Sequence, residues 1–155
     1  MIELLFAFLI IVVLMTTHEL GHVIAAKFLR LRIITIGFRK NPIPFPYVEV
    51  ERTLDMRKTT IFYFAGIAMT IVLFAIFSLT NQFWGLKFLY YAFCTQLILE
   101  TNPFYSDFVI YYLIQKRTYD YKSYLYTPIW YIHFSLWGLL ILILLSNQFL
   151  PALIF

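Results

Sequence analysis

The residues best suited to chemistry stand at positions 18–22, where the chain reads His-Glu-Leu-Gly-His. On an α-helix, residues four positions apart lie on one face, so His18 and His22 can hold one metal ion between them. Glu19 can then reach a water molecule on that metal and act as its general base. Two imidazole ligands beside one carboxylate are typical of zinc peptidases. The five residues therefore predict a zinc site with hydrolytic chemistry.

This motif lies in the second half of an apolar segment, 4–28, that is long enough to span a bilayer. Ionisable side chains at membrane depth are costly, and they indicate a functional site by default. The whole chain of 155 residues is 62% hydrophobic and 13% charged, whereas soluble domains are about 25% charged. The composition predicts an integral membrane protein with a single domain over residues 1–155.

The apolar segments predict an all-α polytopic membrane protein. Four transmembrane helices are expected at about 4–28, 59–79, 85–107 and 128–148. Between the first two, a β-branched stretch and three prolines at period two predict a small β-hairpin at about 33–51. An irregular proline-rich loop is the alternative there. Asn102-Pro103 is expected to break or kink the third helix.

The basic residues are distributed unevenly along the chain. Eight of the twelve Lys and Arg residues lie between Lys27 and Lys58, three lie between the third and fourth spans, and only Lys87 lies elsewhere. The positive-inside rule then places loops 29–58 and 110–127 in the cytoplasm, with the hairpin, and both termini outside. No basic face with stacking aromatics is evident, so the charge indicates membrane topology and no nucleic-acid partner.

A catalytic zinc site needs a third protein ligand and one open position. The candidates are six acidic residues and the remaining histidine: Asp107, Glu100, His133, Asp55, Asp120, Glu49 and Glu51. Asp107 has the best case, because it follows the Asn-Pro break and is expected at the depth of the two histidines. His133 is the next choice from its depth, although an interfacial or packing role is the commoner one for such a histidine.

Together, the His-Glu-Leu-Gly-His motif and the Asn-Pro…Asp sequence in the third span resemble the site-2 protease family of intramembrane zinc metalloproteases. The resemblance covers about residues 4–110. It implies His18, His22 and Asp107 as Zn²⁺ ligands, Glu19 as the catalytic carboxylate, and Asn102 as a contact to the substrate backbone or oxyanion. For Asn102, a helix-ending role before proline is an equal alternative.

Some positions depart from the family pattern. Phe108 stands where glycine usually follows the ligand aspartate, and Ile67 and Thr70 stand where proline and asparagine are usual in the second span. These departures concern substrate clamping more than the metal site. The small residues around them, at positions 65, 66 and 68, are expected to allow close helix packing.

The leading functional hypothesis is an intramembrane zinc endopeptidase that hydrolyses transmembrane or membrane-associated peptides. One alternative is a catalytically inactive relative that binds peptides as a transport accessory or immunity factor, but such a protein has no need of an intact Glu19. Another is a metal-handling membrane protein, which would need further ligands along a path. The spans offer little for that purpose beyond Glu100 and His133.

Overall fold

The computed structural model describes residues 2–39, 45–80, 82–83, 86–118 and 120–149. These residues are mostly helical and include one small antiparallel hairpin. The elements are α1 (Ile2–Phe28), β1 (Ile33–Arg39), β2 (Phe45–Val50), α2 (Met56–Leu79), α3 (Lys87–Glu100), α4 (Asp107–Gln115), a short 3-10 helix (Tyr121–Ser123) and α5 (Pro128–Phe149). They divide into two compact units, Met1–Leu97 and Ile98–Phe155.

In the first unit, α1 and α2 pack together where both carry glycine. A Cβ atom on Gly21 would lie only 2.6 Å from the carbonyl oxygen of Ala65, so no larger residue fits there. Gly66 on α2 faces the two histidines of α1 in the same way. Small residues allow such close approach of helices. The glycine contacts therefore hold the His-Glu-x-x-His face of α1 against α2. Ala68, the third small residue of α2 expected in the packing, is exposed instead.

The hairpin predicted at about 33–51 is confirmed. β1 pairs antiparallel with β2, with Ile36 opposite Val48, and the register shifts near Ile33. Glu51 donates its backbone N–H to the Arg32 carbonyl at 2.8 Å. Because strand N–H groups alternate, the nitrogen of Pro46 then points away from β1, where its missing donor costs no ladder bond. Prolines 42 and 44 lie outside the described residues.

The third predicted helix is wrong in its extent. Instead of a helix over 85–107, α3 ends at Glu100, a turn occupies 101–106, and α4 begins at Asp107. The expected break at Asn102-Pro103 is confirmed. α4 also occupies part of the stretch 110–127 that was expected to be a loop. Its short apolar run is stabilised by tertiary contacts, because Val109 is buried against Tyr124 and Trp130.

Two of the described helices are long and apolar enough to cross a membrane, Leu5–Phe28 and Met56–Leu79. Only 17% and 22% of the residues in their most apolar windows are buried within the protein. The core helix of a soluble protein would be mostly buried. α5 contributes a shorter apolar stretch, Pro128–Leu144. The α3 helix has 14 residues and is about 21 Å long.

Candidate metal centre

One group of three metal-ligating side chains lies within the described residues, and it consists of His18, Glu19 and His22. One ligand atom from each lies within 4.8 Å of the others. The Nε2 atoms of His18 and His22 are 3.2 Å apart. Two nitrogens bound to one tetrahedral zinc ion at 2.0–2.1 Å are about 3.3 Å apart. The spacing of the two imidazoles therefore fits a shared zinc ion without rearrangement of α1.

A backbone contact fixes the orientation of the His22 ring. Its Nδ1 atom lies 2.8 Å from the carbonyl oxygen of Phe62 on α2. A carbonyl can only accept a hydrogen bond, so Nδ1 carries the proton and Nε2 presents its lone pair towards His18. Metal-binding histidines commonly donate their second ring N–H to such an acceptor. The contact therefore prepares His22 as a ligand through Nε2.

Gly66 on α2 packs directly against both histidine rings. A Cβ atom at this position would lie 2.5 Å from Nε2 of His18 and 2.6 Å from Nε2 of His22. These are the two nitrogens that would bind a metal. The sequence marked Gly66 only as a packing residue. Its place opposite the histidines depends on the packing of α1 against α2, which no local sequence signal shows.

The two histidines are largely buried, with 9% of His18 and 4% of His22 exposed. Burial of polar rings is costly unless their nitrogens are bonded. The two imidazole nitrogens are donors that suit zinc, and the carboxylate of Glu19 lies beside them on α1. The donor type and the 3.2 Å spacing of the two Nε2 atoms therefore both fit a metal ion held at this face of α1.

Glu19 also lines a groove between α1 and the hairpin. The groove has a volume of about 520 Å³. Apolar side chains from both elements form its walls, among them Val12, Val13, Leu20, Ile36, Phe38 and Val48. Among the described residues that line it, Glu19 supplies the carboxylate. An apolar molecule in this groove would therefore lie beside the predicted general base.

Asp107, the predicted third ligand, is the first residue of α4, directly after the N-cap Ser106. It is partly buried and belongs to the second unit, whereas the histidine pair belongs to the first. A helix N-terminus favours the charged carboxylate, because backbone N–H groups point towards it. Asp107 as the third ligand stays a prediction.

Four of the other acidic candidates have positions that explain them without a metal. Asp55 caps α2 by accepting hydrogen bonds from two backbone N–H groups at 2.9 and 3.4 Å. Asp120 caps the short 3-10 helix in the same way, at 3.0 Å. Glu49 and Glu51 are exposed on or beside β2. Of the acidic alternatives to Asp107, this leaves Glu100, which is 9% exposed at the end of α3.

His133 has protein partners at both ring nitrogens. Nε2 lies 2.9 Å from the carbonyl oxygen of Thr101, and Nδ1 lies 2.6 Å from the hydroxyl of Tyr124. Since the carbonyl can only accept, the neutral ring carries its proton on Nε2 and accepts the tyrosine hydroxyl proton at Nδ1. Both ring nitrogens are thus engaged by the protein, which agrees with the packing role favoured by the sequence.

Asn102 is 3% exposed, and its side chain is bonded to the local backbone. Its Oδ1 atom accepts from the N–H groups of Phe104 at 3.0 Å and Tyr105 at 2.8 Å. Its Nδ2 atom donates to the carbonyl of Leu99. These contacts fit the helix-ending alternative, since they build the turn between α3 and α4. The contact of Asn102 to substrate stays a prediction.

Comparison of the chain with models of protein families, with curated protein sequences and with solved structures found no match in any of the three. The resemblance to the site-2 protease family therefore rests on the motifs alone. The geometry of the site consists of the paired Nε2 atoms, the bonded Nδ1 of His22 and the close contact of both rings with Gly66.

Proposed function

We propose that this protein is an intramembrane zinc endopeptidase of the site-2 protease type. The observation that carries the proposal is the pair of Nε2 atoms 3.2 Å apart on α1, which face a glycine on α2. The adjacent carboxylate of Glu19 completes the residue set for hydrolysis. Both rings pack so closely against Gly66 that a Cβ atom there would collide with the two Nε2 atoms.

The membrane setting is part of the proposal. We infer four spans formed by α1, α2, α3 and α5, with both termini outside and loops 29–58 and 110–127 on the cytoplasmic side. Large apolar side chains on α1 are supporting observations, since Leu5, Phe8 and Val13 are 60%, 62% and 61% exposed. The hydrocarbon core is about 30 Å thick, so the shorter α3 would end at membrane depth. Backbone groups freed there need protein partners.

In the proposed site, His18, His22 and Asp107 hold the metal. A zinc ion bound by these residues would polarise the scissile carbonyl and bring the pKa of a water molecule towards neutrality. Glu19 accepts a proton from the attacking water and delivers it to the leaving amide nitrogen as the carbon–nitrogen bond breaks. The Phe62 carbonyl keeps the His22 ring in its ligand orientation throughout.

The groove beside Glu19 supports a peptide as the substrate. Its walls are apolar, as suits a segment from a membrane-embedded or membrane-associated chain. A substrate helix shields its own carbonyls, so the segment must be extended before hydrolysis. The hairpin can assist, because an extended peptide can add to a strand edge through backbone hydrogen bonds. The substrate class is therefore apolar peptide that unwinds beside the hairpin.

Quantitative mass spectrometry of membrane peptides tests this function in cells that express either the wild type or Glu19→Gln. The proposal expects at least one full-length membrane peptide to accumulate in the Glu19→Gln cells and its fragments to disappear. Glu49→Gln is the matched control, since it removes an exposed carboxylate on β2 and should behave as the wild type. Identical peptide profiles for the wild type and Glu19→Gln would favour a non-catalytic peptide-binding protein instead.

A further inference from the structure

Side chains donate hydrogen bonds to three backbone carbonyl groups at the end of α3. A helix leaves its last four carbonyls without partners inside the helix. Here the indole Nε1 of Trp137 donates to the Ile98 carbonyl at 2.9 Å, and Nε2 of His133 donates to the Thr101 carbonyl at 2.9 Å. Both donors come from α5. The Leu99 carbonyl between them accepts from the Asn102 amide.

The imidazole of His133 is itself fixed from its other side. Tyr124 donates its hydroxyl to Nδ1 at 2.6 Å, and this tyrosine is 1% exposed. Burial, with the neighbouring Tyr121 and Tyr112, raises the pKa of Tyr124 to about 12. The hydroxyl therefore keeps its proton at any physiological pH. The two hydrogen bonds therefore run in one direction, from the Tyr124 hydroxyl to His133 and from His133 to the Thr101 carbonyl.

Tyr124, Trp130 and His133 also contact the first turn of α4. Val109, two residues after Asp107, is 1% exposed and packs with Tyr124 and Trp130. The Phe108 ring lies 5.7 Å from the His133 ring, centroid to centroid. α5 and the segment before it therefore contact the helix break on both sides. One side is the carbonyl end of α3, and the other is the amino end of α4.

We propose that His133 is a positioning residue that fixes the Thr101 carbonyl and so sets the direction in which α4 presents Asp107. This inference rests on the proposed function, in which Asp107 is the third zinc ligand. A neutral imidazole suits the task, because it accepts from Tyr124 and donates to Thr101 at the same time. A partner bonded directly to a metal ligand changes metal affinity about 10- to 100-fold when it is lost. His133 acts on Asp107 through the turn, so the lower end of that range is expected.

The test compares His133→Phe with His133→Gln in the full-length protein, reconstituted in lipid nanodiscs. Phenylalanine keeps a ring but removes both hydrogen bonds, whereas glutamine keeps a donor and an acceptor. Zinc retention against a chelator and the visible spectrum of the cobalt-substituted protein report on the metal site. Amide hydrogen exchange at Phe104 and Tyr105 reports on the turn without any metal. Ile132→Phe, at a position 61% exposed on α5, is the matched control.

We expect His133→Phe to lose zinc about 10-fold faster than wild type, to shift the cobalt spectrum and to speed exchange at both amides. His133→Gln should restore much of each property, and Ile132→Phe should change none. Wild-type zinc retention, spectrum and exchange in His133→Phe would overturn the inference and leave the proposed function standing. If His133→Phe does not fold, Tyr124→Phe removes one hydroxyl only and is judged by the same three measurements.

A failure of the proposed function would look different. If the wild type binds no zinc, the function falls, while the exchange comparison still decides whether His133 fixes the helix break. Faster exchange in His133→Phe would then support the positioning of the turn, and unchanged exchange would overturn it.

Discussion

Gly66 lies where any side chain would collide with Nε2 of His18. A Cβ atom there would be 2.5 Å from Nε2 of His18, closer than any ordinary contact. Gly21 on α1 is as tightly packed against α2, where a Cβ atom would lie 2.6 Å from the Ala65 carbonyl oxygen. The two glycines therefore let α1 and α2 approach closely at the level of the histidine pair.

Gly66→Ala should abolish tight zinc binding, because the new methyl group would collide with both Nε2 atoms and displace the rings. We expect the zinc content of the purified protein to fall at least about 10-fold, as measured by elemental analysis. Ala68→Val, at an exposed position of α2, controls for the added volume and should keep its zinc. Full zinc occupancy in Gly66→Ala would show that the two histidines do not share a metal.

Loss of a group that hydrogen-bonds to a metal ligand weakens metal affinity about 10- to 100-fold. Asp107→Ala should weaken zinc binding by more than that, because it removes a proposed ligand itself. Removal of the third ligand leaves only His18 and His22. Competition with a zinc-sensing dye measures the change, and Glu49→Ala is the control. Wild-type affinity in Asp107→Ala would move the third ligand elsewhere. Glu100→Gln is then the variant to measure, since both nitrogens of His133 already have protein partners.

The features that depend on local chemistry are predictable from the sequence. Three prolines at period two and a β-branched run predict the hairpin, and Asn102-Pro103 predicts the end of α3. The motif on α1 places two histidines on one face through helix geometry alone. Each of these depends on residues close together in the chain.

Features that depend on contacts between residues far apart in the chain are not predictable from the sequence in this way. The α4 helix is short, and it is stabilised by the burial of Val109 against Tyr124 and Trp130. The close contact of Gly66 with both histidines exists only because α1 and α2 pack against each other there. The role of His133 follows from Thr101, a residue 32 positions away. No periodicity or spacing in one segment carries such information.

The hydroxyl of Tyr124 gives the protein a stability change at high pH. The pKa of this group is raised from its ordinary value of 10.0 to about 12, so the folded state favours the protonated form. This contribution to the free energy of unfolding is complete below about pH 10 and is lost as the pH rises through about 12. Denaturant unfolding in detergent should therefore show stability falling over this range. Tyr124→Phe should reduce the loss of stability over this pH range. An unchanged pH dependence in this variant would contradict the assignment of the effect to Tyr124.

The C-terminus of α1 carries arginine where glycine is the usual residue. Arg30 has a φ of 55°, and the N–H of Leu31 closes the helix on the Ala26 carbonyl at 2.8 Å. A residue with a Cβ atom in this conformation costs about 1 kcal/mol. Arg30→Gly should therefore stabilise the protein by up to about 1 kcal/mol, as measured by unfolding in detergent. Arg32→Gly is the control, and an equal gain there would contradict the strain argument.

Hydrolysis of one identified membrane peptide by the purified protein tests the central claim most directly. The wild type should cleave the peptide in nanodiscs, lose activity to a chelator and recover it with added zinc. Glu19→Gln should keep its zinc but cleave about 10²- to 10⁴-fold more slowly, because the proton acceptor is missing. Cleavage by Glu19→Gln at the wild-type rate would contradict the account.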